Sequence, residues 1–137
     1  MRRLPTYPDA ALLIIRIILF ISFLLHGLMK YNMGLSNIGE NFAKMGIPLG
    51  SLAGPGITLL EIVGSVALLL GIGTRVVAAL LVCDMLGAIM FVHLKNGYTG
   101  QGGMELVTLL GTLALTLVLC GAGRYSLDAR MGRNANP

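Results

Sequence analysis

Four apolar runs, separated by clusters of glycine, proline and charge, set the pattern of this chain. Positions 10–30, 51–71, 76–95 and 104–120 are each close to the roughly 20 residues that cross a hydrocarbon core about 30 Å thick at about 1.5 Å per residue. The runs carry glycine, threonine and single charges rather than ten-residue stretches of strict alternation, so they predict helices and not the strands of a membrane barrel. The expected fold is all-α: an antiparallel bundle of four transmembrane helices within residues 10–128, preceded by a cytoplasmic lead at 1–9 and followed by a disordered cytoplasmic tail at 129–137. In the lead, Pro5 and Pro8 precede Asp9, which is placed to cap the first helix. Arg2 and Arg3 ahead of an apolar run imitate a signal peptide. The length of the run, Arg16 inside it and the lack of a convincing small-residue cleavage site instead predict a retained helix.

The connections differ in character. Residues 31–50 form the longest, with Gly34, Gly39, Gly46 and Pro48 as breakers around a short interfacial helix, Ser36 to Met45, whose Phe42 and Met45 would dip into the headgroups while the loop lies over the outer end of the bundle. Gly71 to Arg75 predicts a tight turn with Thr74 as the cap of the third helix. Residues 98–103 form a glycine-rich outer turn. In the second run Gly54, Thr58, Gly64 and Ser65 accompany Glu61 in a small, polar stripe suited to close helix approach. Glu105, Thr108, Thr112 and Thr116 share one face of the fourth.

Charge inside the runs changes the picture from a plain anchor to a bundle with polar business. Arg16 at the centre of a lone inserted helix would cost from about 3 to more than 10 kcal/mol, so it must face protein, water or a counter-charge. At about 100° per residue, Arg16, His26 and Lys30 fall within roughly an 80° arc. Sorted by depth, His26, Lys30, His93, Lys95 and Glu105 gather near the outer boundary, and Arg16, Glu61 and Asp84 form a deeper layer, read as a buried charge network. Glu61 is expected either to pair with Arg16 or to handle protons, while Lys30 and Lys95 read as snorkelling residues. On a straight helix Asp84 lies about 180° from His93, so the two share a pocket only if the helix bends.

Composition agrees with a bilayer protein: 55% of the 137 residues are hydrophobic and 12% charged, with a mean hydropathy of +0.83. Four helices leave no room within these residues for a soluble catalytic domain. The net charge of +4 bears on orientation. Arg2, Arg3, Arg75, Arg124, Arg130 and Arg133 fall on the side of both termini and Lys30, Lys44 and Lys95 on the other, which predicts cytoplasmic termini. The C-terminal arginines are too sparse, with Asp128 among them, for a nucleic-acid-binding tail. Cys83 and Cys120 form no C-x-x-C motif and read as buried small residues at different depths, which argues against thiol–disulfide chemistry.

The outer polar layer admits two chemistries. Paired imidazoles in a bundle can ligate haem iron or another metal, here His26 and His93 with Glu105 as third ligand, although two histidines without fixed spacing are a weak metal signal. A histidine and an acid can instead hydrogen-bond the carbonyls of a quinone and relay its protons, which makes His26, Lys30, Glu61, His93 and Glu105 candidate pocket residues. Structural hydrogen bonding by interface histidines is the third reading.

These residues, in this order, resemble the DoxX family of small four-helix bacterial membrane proteins. The likeness rests on the Arg16 helix ending His26-Gly27-x-x-Lys30, on Met45-Gly46-Ile47-Pro48, and on Leu60-Glu61 followed by Gly64 and the Leu68-Leu69-Leu70-Gly71 run. It continues through Thr74-Arg75, Val92-His93-Leu94, Asn96-Gly97, Gly103-x-Glu105 and Gly123-Arg124-x-Ser126-Leu127-Asp128. The resemblance implies a multi-pass protein of the bacterial cytoplasmic membrane and a likeness to membrane subunits of a thiosulfate:quinone oxidoreductase. It also implies an association, in some members, with oxidative-stress complexes. The expected function is a membrane subunit of a redox or respiratory-chain-associated complex, not a self-contained enzyme. The rival class is a non-catalytic adaptor that docks partner proteins through Arg75, Arg124 and the tail. A solute passage would require a homo-oligomer, since one four-helix protomer has little room for a pore.

Overall fold

The computed structural model describes residues 6–134, and every described element is helical. Helix α1 spans Pro8–Met33, α2 Leu35–Lys44, α3 Gly50–Leu70, α4 Thr74–Ala88, α5 Glu105–Cys120 and α6 Leu127–Asn134. A π-helical turn, Ile89–His93, and a 3-10 turn, Leu94–Asn96, prolong α4. Three of these rods are long and apolar enough to cross a membrane: Pro8–Met33, Gly50–Leu70 and Thr74–Asn96. Helix α5 is apolar and shorter, at 16 residues.

Residue choice explains where each helix begins and ends. Pro8 occupies the first turn of α1, where a missing N–H costs nothing, and Gly34 stops it with φ +92. Gly71 and Gly73, at φ +70 and +55, form the reversal between α3 and α4 that L-residues with a Cβ rarely adopt.

Helix α1 packs along α3, α4 along α5, and α3 against α4, while α2 lies on α3. Leu19, Phe23, Leu68, Ala78, Leu81, Met85, Leu110, Ala114 and Leu117 form the buried core. Large apolar side chains also cover the outside, among them Ile14, Leu25, Val63, Val76, Met90, Leu109 and Leu119. An outer surface this apolar requires lipid as its solvent. The protein is a membrane protein on its own chemistry.

Glycines bring the backbones close where α2 crosses α3. A Cβ at Gly54 would lie 2.8 Å from Gly39 N, and one at Gly50 would overlap the backbone of Ala43. About two turns further along α3, a Cβ at Gly27 would sit 2.7 Å from Ile62 Cγ1. The predicted stripe of α3 is buried throughout, with Gly54, Thr58, Glu61, Gly64 and Ser65 all inside. The threonine face of α5 needs no partner helix. Thr108, Thr112 and Thr116 donate to the carbonyls of Met104, Thr108 and Thr112 at 2.7, 2.8 and 3.0 Å, which satisfies each hydroxyl within its own helix.

Several local expectations are corrected. Asp9 lies inside the first turn of α1, after an N-cap at Tyr7, and its carboxylate accepts from Arg124 N at 2.8 Å. Thr74 is the first residue of α4 rather than its cap. Of the tail expected at 129–137, residues 129–134 continue α6, whose start is held by Ser126 Oγ accepting from Ala129 N at 3.2 Å and by Asp128 bonding Gly73 N and Thr74 N. Cys83 and Cys120 are free and exposed. Arg2, Arg3, Pro5, the side chain of Arg133 and residues 135–137 lie outside the described part.

Candidate functional site

Two polar centres share the length of the bundle. Arg16 and Lys30 are fourteen positions apart on α1, which is about 21 Å of helix rise. Each gathers a different kind of partner.

Arg16 is 1% exposed and ties together the bundle end where α1 begins and α3 and α5 end. Its Nε donates to Leu68 O at 2.7 Å, Nη1 to Ala122 O at 3.1 Å and Tyr125 O at 2.8 Å, and Nη2 to Leu69 O. Leu68 and Leu69 end α3, where helix carbonyls lack intrahelical donors and the helix dipole favours a cation. Ala122 and Tyr125 belong to the loop between α5 and α6. The planar fork of five donors is what lets one side chain reach two segments. Beside it, Asp128 accepts from Gly73 N at 2.8 Å and Thr74 N at 2.9 Å and so caps α4 from a distant part of the chain. Its partial burial would raise the carboxyl pKa, but the Thr74 and Gly73 amides, the Thr74 hydroxyl and the Arg16 charge outweigh that and hold it below the ordinary value. A Cβ at Gly71 would overlap Ser126 Cβ and stand 2.9 Å from Arg16 Nη2, so the lock requires glycine there.

The buried network expected of Arg16, Glu61 and Asp84 therefore does not exist as one unit. Arg16 bonds carbonyls, and Glu61 turns to Lys30. Lys30 Nζ lies 2.6 Å from Glu61 Oε1, with side chains 23% and 2% exposed. Lys30 points inward rather than snorkelling, because α1 crosses α3 closely where Gly27 meets Glu61 and Ile62, and Lys30 lies about one turn along α1 from that contact.

This ion pair borders a cavity of about 330 Å³ between α1, α3, α4 and α5, roofed by α2. Lys30, Glu61, Asp84, His26 and His93 supply its polar groups together with Asn41 of α2, which the sequence reading missed, and Phe23, Ile38, Phe42, Met85, Phe91 and Leu110 much of its apolar wall. Asp84 lies within coulombic reach of both Glu61 and Lys30. Glu61 Oε2 and Asp84 Oδ2 are buried and accept no hydrogen bond. Such orphaned carboxylate oxygens each cost on the order of 1–3 kcal/mol unless a proton, a water or a ligand donor meets them.

The π-helical turn explains how Asp84 and His93 come to line the same cavity. It acts as one inserted residue, rotating the segment after it by about 100° relative to a straight helix and removing most of the 180° separation. His93 Nδ1 then reaches Gly102 O at 2.8 Å, and Asn96 Nδ2 donates to the same carbonyl at 2.9 Å. Since the carbonyl only accepts, Nδ1 carries the proton, and Nε2 is left as an acceptor in the neutral ring.

Glu105 falls outside this group. It is exposed at the start of α5, whereas Val107, about 200° round the helix, faces the cavity. With Glu105 gone, the weak metal alternative at His26 and His93 loses its third ligand, and no group of three His, Cys, Asp or Glu among the described residues is placed to hold a metal ion. The roof also departs from expectation: Phe42 and Met45 line the cavity instead of entering the headgroup layer. The spacing of Gly39, Gly50 and Gly54 is the sequence signal that α2 must seat closely on α3.

Comparison with known proteins fits these features. A family model described as DoxX matches residues 11–94. A protein of Bacillus subtilis (strain 168) named "Putative oxidoreductase CatD" is 32% identical over 116 residues, covering 85% of this chain and 83% of that protein. A protein of Haemophilus influenzae with no assigned activity in its name is 36% identical over 133 residues, 93% of this chain and 96% of its own length. A Mycobacterium tuberculosis protein named "Uncharacterized membrane protein Rv3486" is 33% identical over 135 residues, 88% of this chain and 81% of its own. No solved structure matches the chain.

Proposed function

The chain belongs to the DoxX family, and on that premise we propose that it is the membrane subunit of a redox complex, with the α2-roofed cavity as a site for a quinone head. The observation that carries this reading is the pairing of an apolar cavity with two orphaned carboxylate oxygens beside one ammonium and two imidazoles. A quinone bound there would supply two-electron, two-proton chemistry, the electrons being exchanged with a redox partner in the complex. Lys30 and His26 serve as donors to carbonyl oxygens. Glu61 Oε2, Asp84 Oδ2 and His93 Nε2 serve as acceptors of hydroxyl protons. With Lys30 charged, the trio of Lys30, Glu61 and Asp84 is electrically neutral when the two carboxyls share one proton and carries one negative charge when that proton leaves, so it holds one exchangeable proton beside the quinone head. The relative named as an oxidoreductase supports the same class.

In this reading α1, α3, α4 with its two turns, and α5 cross the cytoplasmic membrane as an antiparallel four-helix bundle. Helix α5 spans about 24 Å and needs local thinning or its flanking residues to cross. Arg75, Arg124 and Arg130 stand at the end of the termini, which favours a cytoplasmic position for both and puts the cavity toward the outer leaflet. A docking subunit whose charges only lock the bundle is the competing function. The cavity itself favours a ligand site, because an apolar chamber of about 330 Å³ beside Lys30, Glu61, Asp84 and two imidazoles leaves room for an occupant that a charge lock does not need.

The test is made on the full chain purified in mild detergent. Co-extracted quinone is quantified, an oxidised-minus-reduced spectrum is recorded, and Cys83, which lines the cavity, is labelled with a maleimide using Cys120 as internal control. The expected result is a stoichiometric quinone that slows labelling of Cys83 but not of Cys120, both effects being lost in His93→Ala with the bundle still folded. A quinone-free preparation in which added quinone leaves Cys83 labelling unchanged, with a protein partner co-purifying, overturns the proposal in favour of docking.

A further inference from the structure

At the opposite end from the cavity, an open groove of about 780 Å³ is lined by Leu13, Arg16, Leu69, Leu70, Tyr125 and Ser126, with Arg124 and Arg130 among the remaining walls. Among the described residues three guanidiniums border it and no carboxylate does. The two nearby acids are already engaged: Asp128 by the Gly73 and Thr74 amides, Asp9 by Arg124 N. Arg16 has no carboxylate within ion-pair distance among the described residues, and Asp128 acts on it only through its field. Its four carbonyl bonds use four of its five N–H donors, so one Nη2 hydrogen remains on a nearly fully buried cation beside the opening. A buried cation that bonds only carbonyl dipoles, with its nearest carboxylate beyond ion-pair distance, is a site that gains from an anion.

We infer that this groove binds the phosphate of an anionic phospholipid, its headgroup between Arg16, Arg124 and Arg130 and its acyl chains along Leu13, Leu69 and Leu70. Charge selects an anion, and the apolar floor selects a lipid over a free ion. Leu13 and Leu70 belong to membrane-spanning helices whose outer faces are greasy, so acyl chains leave the groove directly into bilayer. Helix α6 comes after α5 and a six-residue loop and brings Arg130 to headgroup level. Basic pockets at helix ends on the cytoplasmic side are favoured sites for such headgroups.

The inference stands apart from the cavity reading and is tested separately. The detergent-purified full chain is titrated with phosphatidylglycerol or phosphatidylcholine of identical acyl chains, or with inorganic phosphate, and monitored by native mass spectrometry. Phosphatidylglycerol is expected to bind preferentially. The exposed pair Arg124→Gln and Arg130→Gln should weaken it roughly thirtyfold while phosphatidylcholine binding and the melting temperature stay as in the parent. Glu61→Gln should leave it unchanged whether or not the cavity holds quinone. Equal retention of both lipids, or full phosphatidylglycerol binding by the double variant, overturns the inference. Displacement of phosphatidylglycerol by millimolar inorganic phosphate overturns the lipid assignment in favour of a free-anion site.

Discussion

The ion pair at the cavity floor makes a sharp prediction, because Lys30 has two carboxyls within reach and needs one. Glu61→Gln removes the 2.6 Å partner. Breaking a buried pair by deleting one member typically costs about 3–5 kcal/mol, since it strands the other charge. Here Asp84 lies within coulombic reach of Lys30 and takes over, so the single substitution should cost only about 1–2 kcal/mol. Asp84→Asn removes one of two facing carboxyls and leaves the close pair intact, with an expected cost of at most about 1 kcal/mol. The double variant leaves Lys30 with no carboxylate and should cost about 3–4 kcal/mol, near the lower end of the range because the side chain is 23% exposed and can swing partly to water. The difference is a coupling energy of about 1–2 kcal/mol. Reversible unfolding of the four proteins in mixed detergent and denaturant measures it, through the shift in midpoint at constant slope. Costs that add to within about 0.5 kcal/mol would refute the reasoning: Glu61 and Asp84 would then not serve the same cation.

Single contacts give further expected outcomes. Asp128 has a carboxyl pKa held below its ordinary value, so its contribution to stability is complete above the unfolded pKa of about 3.9 and is lost as pH falls through the folded value. An acid titration of unfolding should show that loss in the parent and not in Asp128→Asn, which starts about 0.5–2 kcal/mol lower at neutral pH as expected for a lost helix cap. Gly54→Leu drives a side chain into the backbone of Gly39 and should cost about 1–3 kcal/mol by overpacking; lifting α2 from the cavity, it should also speed maleimide labelling of Cys83, and an unchanged rate would show that α2 is no roof. Gly102→Ala places a Cβ at φ +74 and 3.0 Å from Asn96 Nδ2, with an expected cost of about 1–3 kcal/mol. It should shift the imidazole signals of His93 but not those of His26 in NMR titration.

Some of this architecture is legible in the sequence and some is not. The apolar runs announce the long helices because length and hydropathy alone decide membrane insertion. Arg16 and Glu61 announce themselves as interior residues because lipid tolerates no unanswered charge, whereas Lys30 reads as a snorkelling residue from its place near a helix end and turns inward because Glu61 faces it. Which partner answers each charge is a different matter. Glu61 looks like the partner of Arg16 because carboxylates are visible in a sequence, whereas the acceptors that Arg16 uses are carbonyls of Leu68, Leu69, Ala122 and Tyr125, which any residue could provide. Asp84 and His93 stand 180° apart on a helical wheel because the wheel assumes one period, and the extra residue of a π-helical turn leaves no composition signature. Glu105 has the right depth for the cavity and the wrong helix phase, and phase excludes it.

The division between the two polar centres carries a functional consequence. At the terminal end the carbonyls that Arg16 meets are fixed by helix ends and a loop, every Asp128 oxygen is engaged by an amide, and Gly71 packs directly on Ser126. An arrangement with so many engaged groups resists change, since any displacement orphans several of them together, although Thr74 Oγ1 and one Arg16 Nη2 hydrogen have no partner there among the described residues. At the cavity fewer groups are tied. Two carboxylate oxygens lack partners, one cation is shared, His26 makes no hydrogen bond among the described residues, and Met33, Met45 and Met85 supply pliable walls. A site that exchanges protons and ligand must keep some of its groups unsatisfied when empty, and it can do so only where the rest of the bundle is held firmly. This sets an order of local stability. Hydrogen exchange should be slowest at the amides of Gly73 and Thr74 beneath Asp128 and faster at those of the π-helical turn beside His93. The reverse order would mean that the cavity, and not the Arg16 end, is the structural keystone.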